Sequence, residues 1–495
     1  MTLVAPTEPG VRLGDPQPRT LRFLDHTALW GNLGISLLGP VTAVYVVSEG
    51  MSILAAFAAV VLGSLIGTLG LSVANVAGAR TGQPAMVLLR GLFGIRLSVL
   101  PTVLNIVQVL GWAVFELYVI AAAARQLLPW KAAWPYIVLA GVLTTLMAVR
   151  PLGSVRLLRR YALIAVVIVM AYLIVQLLRQ PHPSFIHGGW SGYWAGFDLV
   201  IAVSVSWIPL AADYSRHSRS EPGAFAGSFV GFALAQILCY GLGLLALSSV
   251  AAADPSQTGM FGAFIAVPLG WLAFGVLIVR ELDESFANVY STAISAQNLA
   301  PRADRRVLAI GVGAAATVLA LIVDVVSYQD FLYLIGSVFV PLFAVFVVRY
   351  FVYHGWVDWN TSNRAPDRWA LLVPWILGFA VYQIVHPGQI PGWAAVWLSV
   401  RDFLQFTPPS WLSASLFSFA VAFLFSLALA HPPVTQRRLF LVGRRPSPAG
   451  RGPRGDRRPS LGDRDPSPGN RRPALGHRRA DERERTSFRP DQRPS

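Results

Sequence analysis

Charged residues are scarce in this chain of 495 residues: only 13% are Asp, Glu, Lys or Arg, while 54% are hydrophobic. A soluble globular protein carries roughly 25% charged residues. Apolar runs recur between Leu24 and Ala430, and at about 20 residues each is long enough for a helix to span a hydrocarbon core of ~30 Å. Because a lipid-exposed segment must satisfy its backbone hydrogen bonds internally, the sequence predicts an all-α integral membrane protein.

Cysteine is nearly absent, since Cys239 is the single one. This excludes an intrachain disulfide framework and a CxxC metal pair. The chain also lacks an HExxH motif, a Walker loop, clustered histidines and a GxSxG motif in a fitting context. These absences predict a protein that is not an enzyme and has no cofactor. The first 22 residues lack an apolar core, so we expect the first spanning helix, rather than a cleavable signal peptide, to direct insertion.

The apolar runs divide the chain into three parts. A cytoplasmic N-terminal segment covers residues 1–23, a membrane domain covers 24–431, and a tail covers 432–495. Because the tail is rich in Arg, Pro and Gly and contains a seven-residue repeat from Gly455, it is predicted to be disordered. The membrane domain is predicted to have twelve spanning helices, at 24–47, 52–77, 98–124, 133–149, 156–178, 194–213, 224–251, 262–297, 305–324, 328–352, 369–386 and 409–431.

The distribution of arginine supports this count. With the N-terminus in the cytoplasm, the segments on that side before the tail contain 18 arginines, whereas the opposite loops contain four basic residues. Cytoplasmic loops of membrane proteins carry the excess of Lys and Arg. We therefore expect a multi-pass protein of the cell membrane with both termini in the cytoplasm.

Polar residues inside three predicted helices indicate a binding site. In helix three, Trp112 and Glu116 are one turn apart and share a face with Asn105 and Gln108. An aromatic surface beside a carboxylate suits a planar heterocycle bearing N–H groups. Helix one contains WGNLGISLLGP, and helix six contains VSVSWIPLAADYSR with Ser204, Ser206 and Pro209. Interruptions in matching helices of two halves are typical of a transporter's site.

Predicted helix eight carries an unusual cluster of charge. Arg280, Glu281, Asp283 and Glu284 lie within five consecutive positions, although a charge at the bilayer centre costs at least ~2.5 kcal/mol. The cluster is either solvated at the cytoplasmic end of the helix or buried midway along it. The uncharged stretch that follows it, before the basic loop at Arg302, favours the buried position.

Several segments together resemble the nucleobase:cation symporter family, the purine–cytosine permease and hydantoin permease group. They are GARTGQPAMVLLRGLFGIR from Gly78, SVLP at 98–101, Trp112, ADYSR at 212–216 and NVYSTAISAQN at 288–298. The resemblance covers most of residues 20–430. It implies twelve helices, ten of which form a five-plus-five inverted repeat with broken helices one and six. It also implies import of a nucleobase or a related heterocycle with a cation, by alternating access.

The resemblance assigns roles to individual residues. The family's stacking tryptophan falls on Trp112, its polar residue one turn later on Glu116, and its amide of helix eight on Asn288. The break in helix one implies a cation near the carbonyls of Leu33 and Ser36 and a substrate contact at Leu37. These and the following residues are the predicted substrate and cation contacts: Trp112, Glu116, Asn288, Ser204, Ser206, Trp207, Leu37, Asp283, Glu284, Leu33 and Ser36.

Two positions depart from the family pattern. Ser204 stands where relatives often carry a second aromatic residue on helix six, and Trp207 is expected to substitute for it. The sodium-binding hydroxyl pair of helix eight falls on Leu282 and Asp283. Asp283, with Glu284, is therefore expected to bind sodium or to carry the coupling proton.

We expect a monomer that binds lipid and a small planar molecule such as cytosine, a purine or a hydroxymethylpyrimidine, but no nucleic acid. Three other functions stay open. An amino-acid or amine transporter of the same fold would use Glu116 to face an ammonium group. A membrane enzyme is disfavoured by the missing motifs, and a non-transporting sensor would use the basic tail as its output.

Overall fold

The computed structural model describes residues 18–48, 50–149, 154–182, 187–249, 254, 256–322 and 328–429. Within these ranges the chain is helical, with two isolated β-bridges and no β-strand. Most of the predicted N-terminal segment 1–23 and all of the predicted tail 432–495 lie outside the described residues.

The described residues before position 250 form ten α-helices. Apart from α4, their bounds agree with the predicted runs to within a few residues. The helices are α1 Phe23–Leu33, α2 Leu38–Val46, α3 Ile53–Thr81, α4 Ala85–Phe93, α5 Val99–Leu127, α6 Trp134–Val149, α7 Ser154–Leu178, α8 Tyr193–Ser206, α9 Ile208–Ser215 and α10 Glu221–Leu247.

Seven further α-helices follow in the described residues. They are α11 Gln257–Ala266, α12 Gly270–Leu299, α13 Arg305–Ile322, α14 Tyr328–Val347, α15 Leu372–Val385, α16 Trp393–Phe403 and α17 Ala414–Leu429. The predicted single helix 262–297 is wrong, because the chain divides there into α11 and α12. Pro268 has no N–H to donate, and Leu269 adopts a left-handed conformation with φ of 53°. The short helices α4 and α16 were not predicted.

Six of the described helices are long and apolar enough to cross a membrane, and α1 with α2 makes a seventh if the bent pair is one span. Four shorter apolar helices lie in α6, α7, α15 and α17. Helix α12 has 30 residues but carries Arg280, Glu281, Asp283 and Glu284 near its middle. The chain therefore has the length and composition of a multi-pass membrane protein.

Two helices are interrupted in the middle of the molecule. Helix α1 ends at Leu33 and α2 begins at Leu38, and the two are bent by 63°. Helix α8 ends at Ser206 and α9 begins at Ile208, with Pro209 in its first turn; unlike α1 and α2, these two helices form one 23-residue span, Tyr193–Ser215, divided at Trp207 without a sharp bend. Since proline lacks an N–H, Pro209 frees a backbone carbonyl of the preceding turn. Both interruptions leave backbone groups available for other partners.

Small residues bring the interrupted helices close to their neighbours. A Cβ on Gly34 would lie 2.8 Å from the Cβ of Ala235 in α10, and one on Gly67 in α3 would lie 2.6 Å from the Cβ of Ser204 in α8. Close backbone approach through small residues is typical of helices packed in membranes. A larger residue at either position would displace a helix that lines the central cavity described below.

Asp198 of α8 holds the beginning of α17. Its carboxylate accepts hydrogen bonds from the Ser413 hydroxyl at 2.5 Å, the Ala414 amide at 2.8 Å and the Ser415 amide at 3.1 Å. Asp198 is buried, so these bonds form away from solvent. A carboxylate at a helix N-terminus satisfies free N–H groups and interacts favourably with the helix dipole.

We expect Asp198→Ala to destabilise the protein by about 1–3 kcal/mol, because three buried donors lose their acceptor. Thermal unfolding of the purified protein in detergent measures this. Asp402→Ala, at an exposed aspartate in α16, is the control and should leave the midpoint unchanged. Equal midpoints for Asp198→Ala and the wild type would contradict this role of Asp198.

Candidate functional site

A cavity of about 40 Å³ lies where the two interrupted helices meet α5, α10, α12 and α14. This volume is well below the range of about 300–1,000 Å³ that is typical of small-molecule sites, so a ring-sized substrate requires the lining of the cavity to open. Both chain interruptions border it, so it brings freed backbone groups together with side chains of distant helices. The lining residues are Leu33, Gly34, Ser36, Leu38, Gly39, Thr42, Trp112, Glu116, Val203, Ser206, Trp207, Leu210, Phe232, Gln236, Tyr240, Glu284, Asn288 and Tyr328.

Trp112 is the main aromatic residue that α5 presents to this cavity. Its ring meets Tyr328 at 5.9 Å and Phe331 at 5.4 Å between centroids, in both cases edge to face. The indole Nε1 is buried and has no hydrogen-bond partner among the described residues. A buried tryptophan N–H usually finds a partner, so this donor is available to a ligand.

Glu116 lies one turn beyond Trp112 on the same helix face. It is 2% exposed, and its Oε2 atom has no hydrogen-bond partner in the described part of the chain. The carboxyl group is next to Glu281 and within the electrostatic reach of Glu284 and Arg280. A buried acceptor without a partner is costly, which points to a donor supplied by a bound molecule or ion.

The interruption between α8 and α9 is held by side chains around it. The Gln108 side chain donates a hydrogen bond to the freed Ser206 carbonyl at 2.9 Å. Trp207 packs against Trp30 with ring centroids 6.0 Å apart. Ser204 donates to Gln236 Oε1 at 2.6 Å. Ser206 and Trp207 therefore line the cavity, whereas Ser204 lies behind it and positions Gln236.

The interruption between α1 and α2 is held by α12. Glu281 accepts a hydrogen bond from the Leu37 amide at 2.8 Å and from the Ser36 hydroxyl at 2.7 Å. The Asn32 amide donates to Asp283 at 2.6 Å. Leu33 and Ser36 line the cavity, but Leu37 and Asp283 lie outside its lining.

The charge cluster of α12 is buried. Arg280, Glu281, Asp283 and Glu284 are between 0% and 8% exposed, so the alternative that they are solvated at the cytoplasmic end is wrong. Arg280 donates to Glu284 at 2.9 Å. With Glu116, the cluster contains four carboxyl groups and one guanidinium, which is a strong local excess of negative charge when all are ionised.

Comparisons with known proteins agree with this geometry. A family model described as permease for cytosine/purines, uracil, thiamine and allantoin matches residues 15–358. The chain belongs to this permease family. A putative purine-cytosine permease, YxlA of Bacillus subtilis, is 26% identical over 361 residues, which are 67% of this permease and 76% of YxlA. The vitamin B6 transporter TPN1 of Saccharomyces cerevisiae is 24% identical over 370 residues, and the match spans 61% of its length.

Solved structures show the same fold. Mhp1, a nucleobase-cation-symport-1 family transporter with bromovinylhydantoin bound, has a TM-score of 0.64 and 16% identity, covering 85% of this permease and all of Mhp1. A manganese transporter of Eremococcus coleocola has a TM-score of 0.55 and 12% identity, covering 86% of this chain and 99% of that one. Family and fold together confirm a multi-pass membrane transporter of the nucleobase permease class and not an enzyme.

Of the eleven predicted contact residues, the cavity brings together eight: Leu33, Ser36, Trp112, Glu116, Ser206, Trp207, Glu284 and Asn288. It also contains residues that the sequence did not indicate, among them Gln236, Tyr240, Thr42 and Tyr328. A signal existed for Gln236 and Tyr240, since they are polar groups one turn apart in the otherwise apolar helix α10. The sequence indicates Glu281 as part of the charge cluster, but its contact with the Leu37 amide depends on tertiary packing.

We expect Glu281→Ala to lower the thermal midpoint of the purified permease, because it leaves the buried Leu37 amide and Ser36 hydroxyl without an acceptor, a loss of about 1–3 kcal/mol for each buried group. Glu281→Gln keeps one acceptor oxygen and removes one of four neighbouring carboxylates. It should therefore remain closer to the wild type than Glu281→Ala. The interpretation fails if both variants unfold at the wild-type temperature.

Proposed function

We propose that this permease is a secondary active transporter that imports a planar nitrogen heterocycle, such as cytosine, a purine or a hydroxymethylpyrimidine, together with a cation. The observation that carries the proposal is the pair formed by Trp112 and Glu116. Both line one cavity, and each has a buried polar atom without a partner among the described residues.

The chemistry of the cavity suits a flat ring with N–H groups. Trp112 would stack on the ring, since base–aromatic stacking contributes about 1–3 kcal/mol. Glu116 would accept hydrogen bonds from ring or exocyclic N–H groups, and Asn288 in α12 would read the same edge with an amide that both donates and accepts. Ser206 supplies a third polar contact and Trp207 a second aromatic wall. Ser204 and Leu37 do not line the cavity. Ser204 positions Gln236, and the Leu37 amide binds Glu281.

The architecture that we propose has twelve spans. They are α1 with α2, then α3, α5, α6, α7, α8 with α9, α10, α12, α13, α14, α15 and α17. The first and sixth spans are then the interrupted ones, as a five-plus-five inverted repeat with alternating access requires. We place both termini in the cytoplasm, the protein in the cell membrane, and the functional unit as a monomer.

Cation coupling is supported by the charge of the cavity region. Glu116, Glu281, Asp283 and Glu284 are buried around the single guanidinium of Arg280. Buried charges require compensation, so sodium or protons bound near Asp283, Glu284 and the carbonyls of Leu33 and Ser36 would neutralise the excess. Release of that cation inside the cell would lower the affinity for the substrate and link the two fluxes.

Uptake of radiolabelled bases into cells tests the site. Trp112→Ala and Glu116→Gln should each lower uptake at low substrate concentration by about tenfold or more, because one lost stacking or charged hydrogen-bond contact is worth more than about 1.4 kcal/mol. Trp112→Phe keeps an aromatic face and should retain more uptake than Trp112→Ala. Trp411→Ala, at an exposed tryptophan, is the matched control.

The panel contains cytosine, hypoxanthine, uracil, a hydroxymethylpyrimidine and unlabelled amino acids as competitors, with each variant compared at equal amounts in the membrane. Competition by bases and none by amino acids is the expected result. Uptake that is indifferent to both Trp112→Ala and Glu116→Gln would refute the site, and competition by amino acids would favour an amine substrate at Glu116.

Removal of residues 437–495 distinguishes a transporter from a sensor that would use the basic tail as its output. Because these residues are basic and rich in proline, we predict that transport does not depend on them, and the truncated protein should keep uptake within about twofold of wild type. The measurement is the same uptake assay at matched expression. Loss of uptake in a truncated protein that still reaches the membrane would show that the tail takes part in transport.

A further inference from the structure

Helix α1 ends inside the molecule, where the Gly34 amide donates to the Trp30 carbonyl at 2.9 Å and the Ile35 amide to the Asn32 carbonyl at 3.2 Å. The last four C=O groups of any helix lack partners within that helix, and α1 ends at Leu33, next to the central cavity. Freed carbonyls at the C-terminal end of a broken membrane helix carry the negative end of the helix dipole and are a usual position for a coupling sodium ion.

A guanidinium already lies at this helix end. Arg280 of α12 donates a hydrogen bond to the Asn32 carbonyl in the last turn of α1. The same Nη2 atom bonds the Glu284 carboxylate at 2.9 Å. Arg280 is 3% exposed, so its charge is fixed inside the protein and is not shared with solvent. Arginine cannot be deprotonated in proteins, so this positive charge is permanent.

The opposite half of the interruption carries the opposite charge. Glu281 accepts from the Leu37 amide at the beginning of α2, where the helix dipole is positive. Helix α12 thus supplies a cation to the end of α1 and an anion to the beginning of α2 from adjacent residues. Both ends are satisfied by the protein itself.

We propose that Arg280 is a tethered cation that replaces sodium at the α1–α2 interruption, so that this permease works without sodium. The inference rests on the proposed function as a cation-coupled transporter, and it names which cation is not required. A sodium ion near the Asn32 carbonyl would face the guanidinium at close range, and like charges repel strongly in a buried site. The Leu282 side chain offers no oxygen ligand there, and the Asp283 carboxylate already accepts a hydrogen bond from the Asn32 side chain at 2.6 Å.

Sodium binding is measured first without any substrate, as the thermal unfolding midpoint of the purified full chain in about 150 mM sodium chloride against choline chloride. The wild type should have the same midpoint in both salts. Arg280→Ala should become sensitive to sodium, with a midpoint that rises by about 2 °C or more. Arg280→Lys keeps a positive charge and should stay insensitive.

The matched control is Arg401→Ala. The Arg401 guanidinium donates to the Ile384 and Val385 carbonyls at the end of α15, at 2.7 and 3.0 Å, outside the cavity. Its removal should not create a response to sodium. A wild-type midpoint that rises with sodium overturns the proposal, and so does an Arg280→Ala protein that folds but ignores sodium. If Arg280→Ala does not fold, the midpoints of the wild type and Arg280→Lys in the two salts still test the proposal, because a rise with sodium in either protein would contradict it.

Uptake into proteoliposomes provides the second measurement. Replacing external sodium by choline should change wild-type uptake by less than about twofold, whereas a sodium-coupled site would lose about tenfold or more. The same uptake is then measured with a proton gradient in place of the sodium gradient. If no base is taken up under any gradient, the proposed substrate class fails, while the thermal measurement still tests Arg280 by itself.

Discussion

The contact between the charged middle of α12 and the interruption of α1–α2 is the constraint on which the candidate site depends. Arg280 and Glu281 are adjacent in the chain and bind opposite helix ends, the Asn32 carbonyl and the Leu37 amide. Without Glu281 the buried Leu37 amide would have no acceptor, which is costly in a membrane. Helix α12 thus stabilises the interruption.

The cavity follows from this arrangement. The interruption between Leu33 and Leu38 borders the cavity, and Gly34 permits the close approach of α10 at the same level. Trp112 and Glu116 line the same cavity from α5. The interruption of α8–α9 also borders the cavity, and the Gln108 side chain donates a hydrogen bond to the Ser206 carbonyl there. Trp112 Nε1 and Glu116 Oε2 are left without a hydrogen-bond partner among the described residues, so a ligand can supply one.

Periodicity and composition predicted a large part of the fold and of the candidate site. The apolar runs predicted the long helices because helix length and hydrophobicity are local properties. The spacing of Trp112 and Glu116 predicted that they share a face, since one helical turn separates them. The motifs around Gly78, Ala212 and Asn288 predicted the family. Pro268 was present in the sequence, but the division into α11 and α12 required the backbone geometry at Leu269.

The sequence by itself determined a multi-pass helical permease with a polar stripe on α5 and a charged segment in α12. Only the tertiary structure decided which charges meet. Arg280 and Asn32 are separated by 248 positions, and Gln236 and Ser204 by 32, so no local pattern relates them. The tertiary structure also shows which predicted residues line the cavity, among them Trp112, Glu116 and Asn288. Leu37, Ser204 and Asp283 lie outside the lining. The physical reason is that helical periodicity specifies a face, whereas the neighbour of that face depends on how distant helices pack.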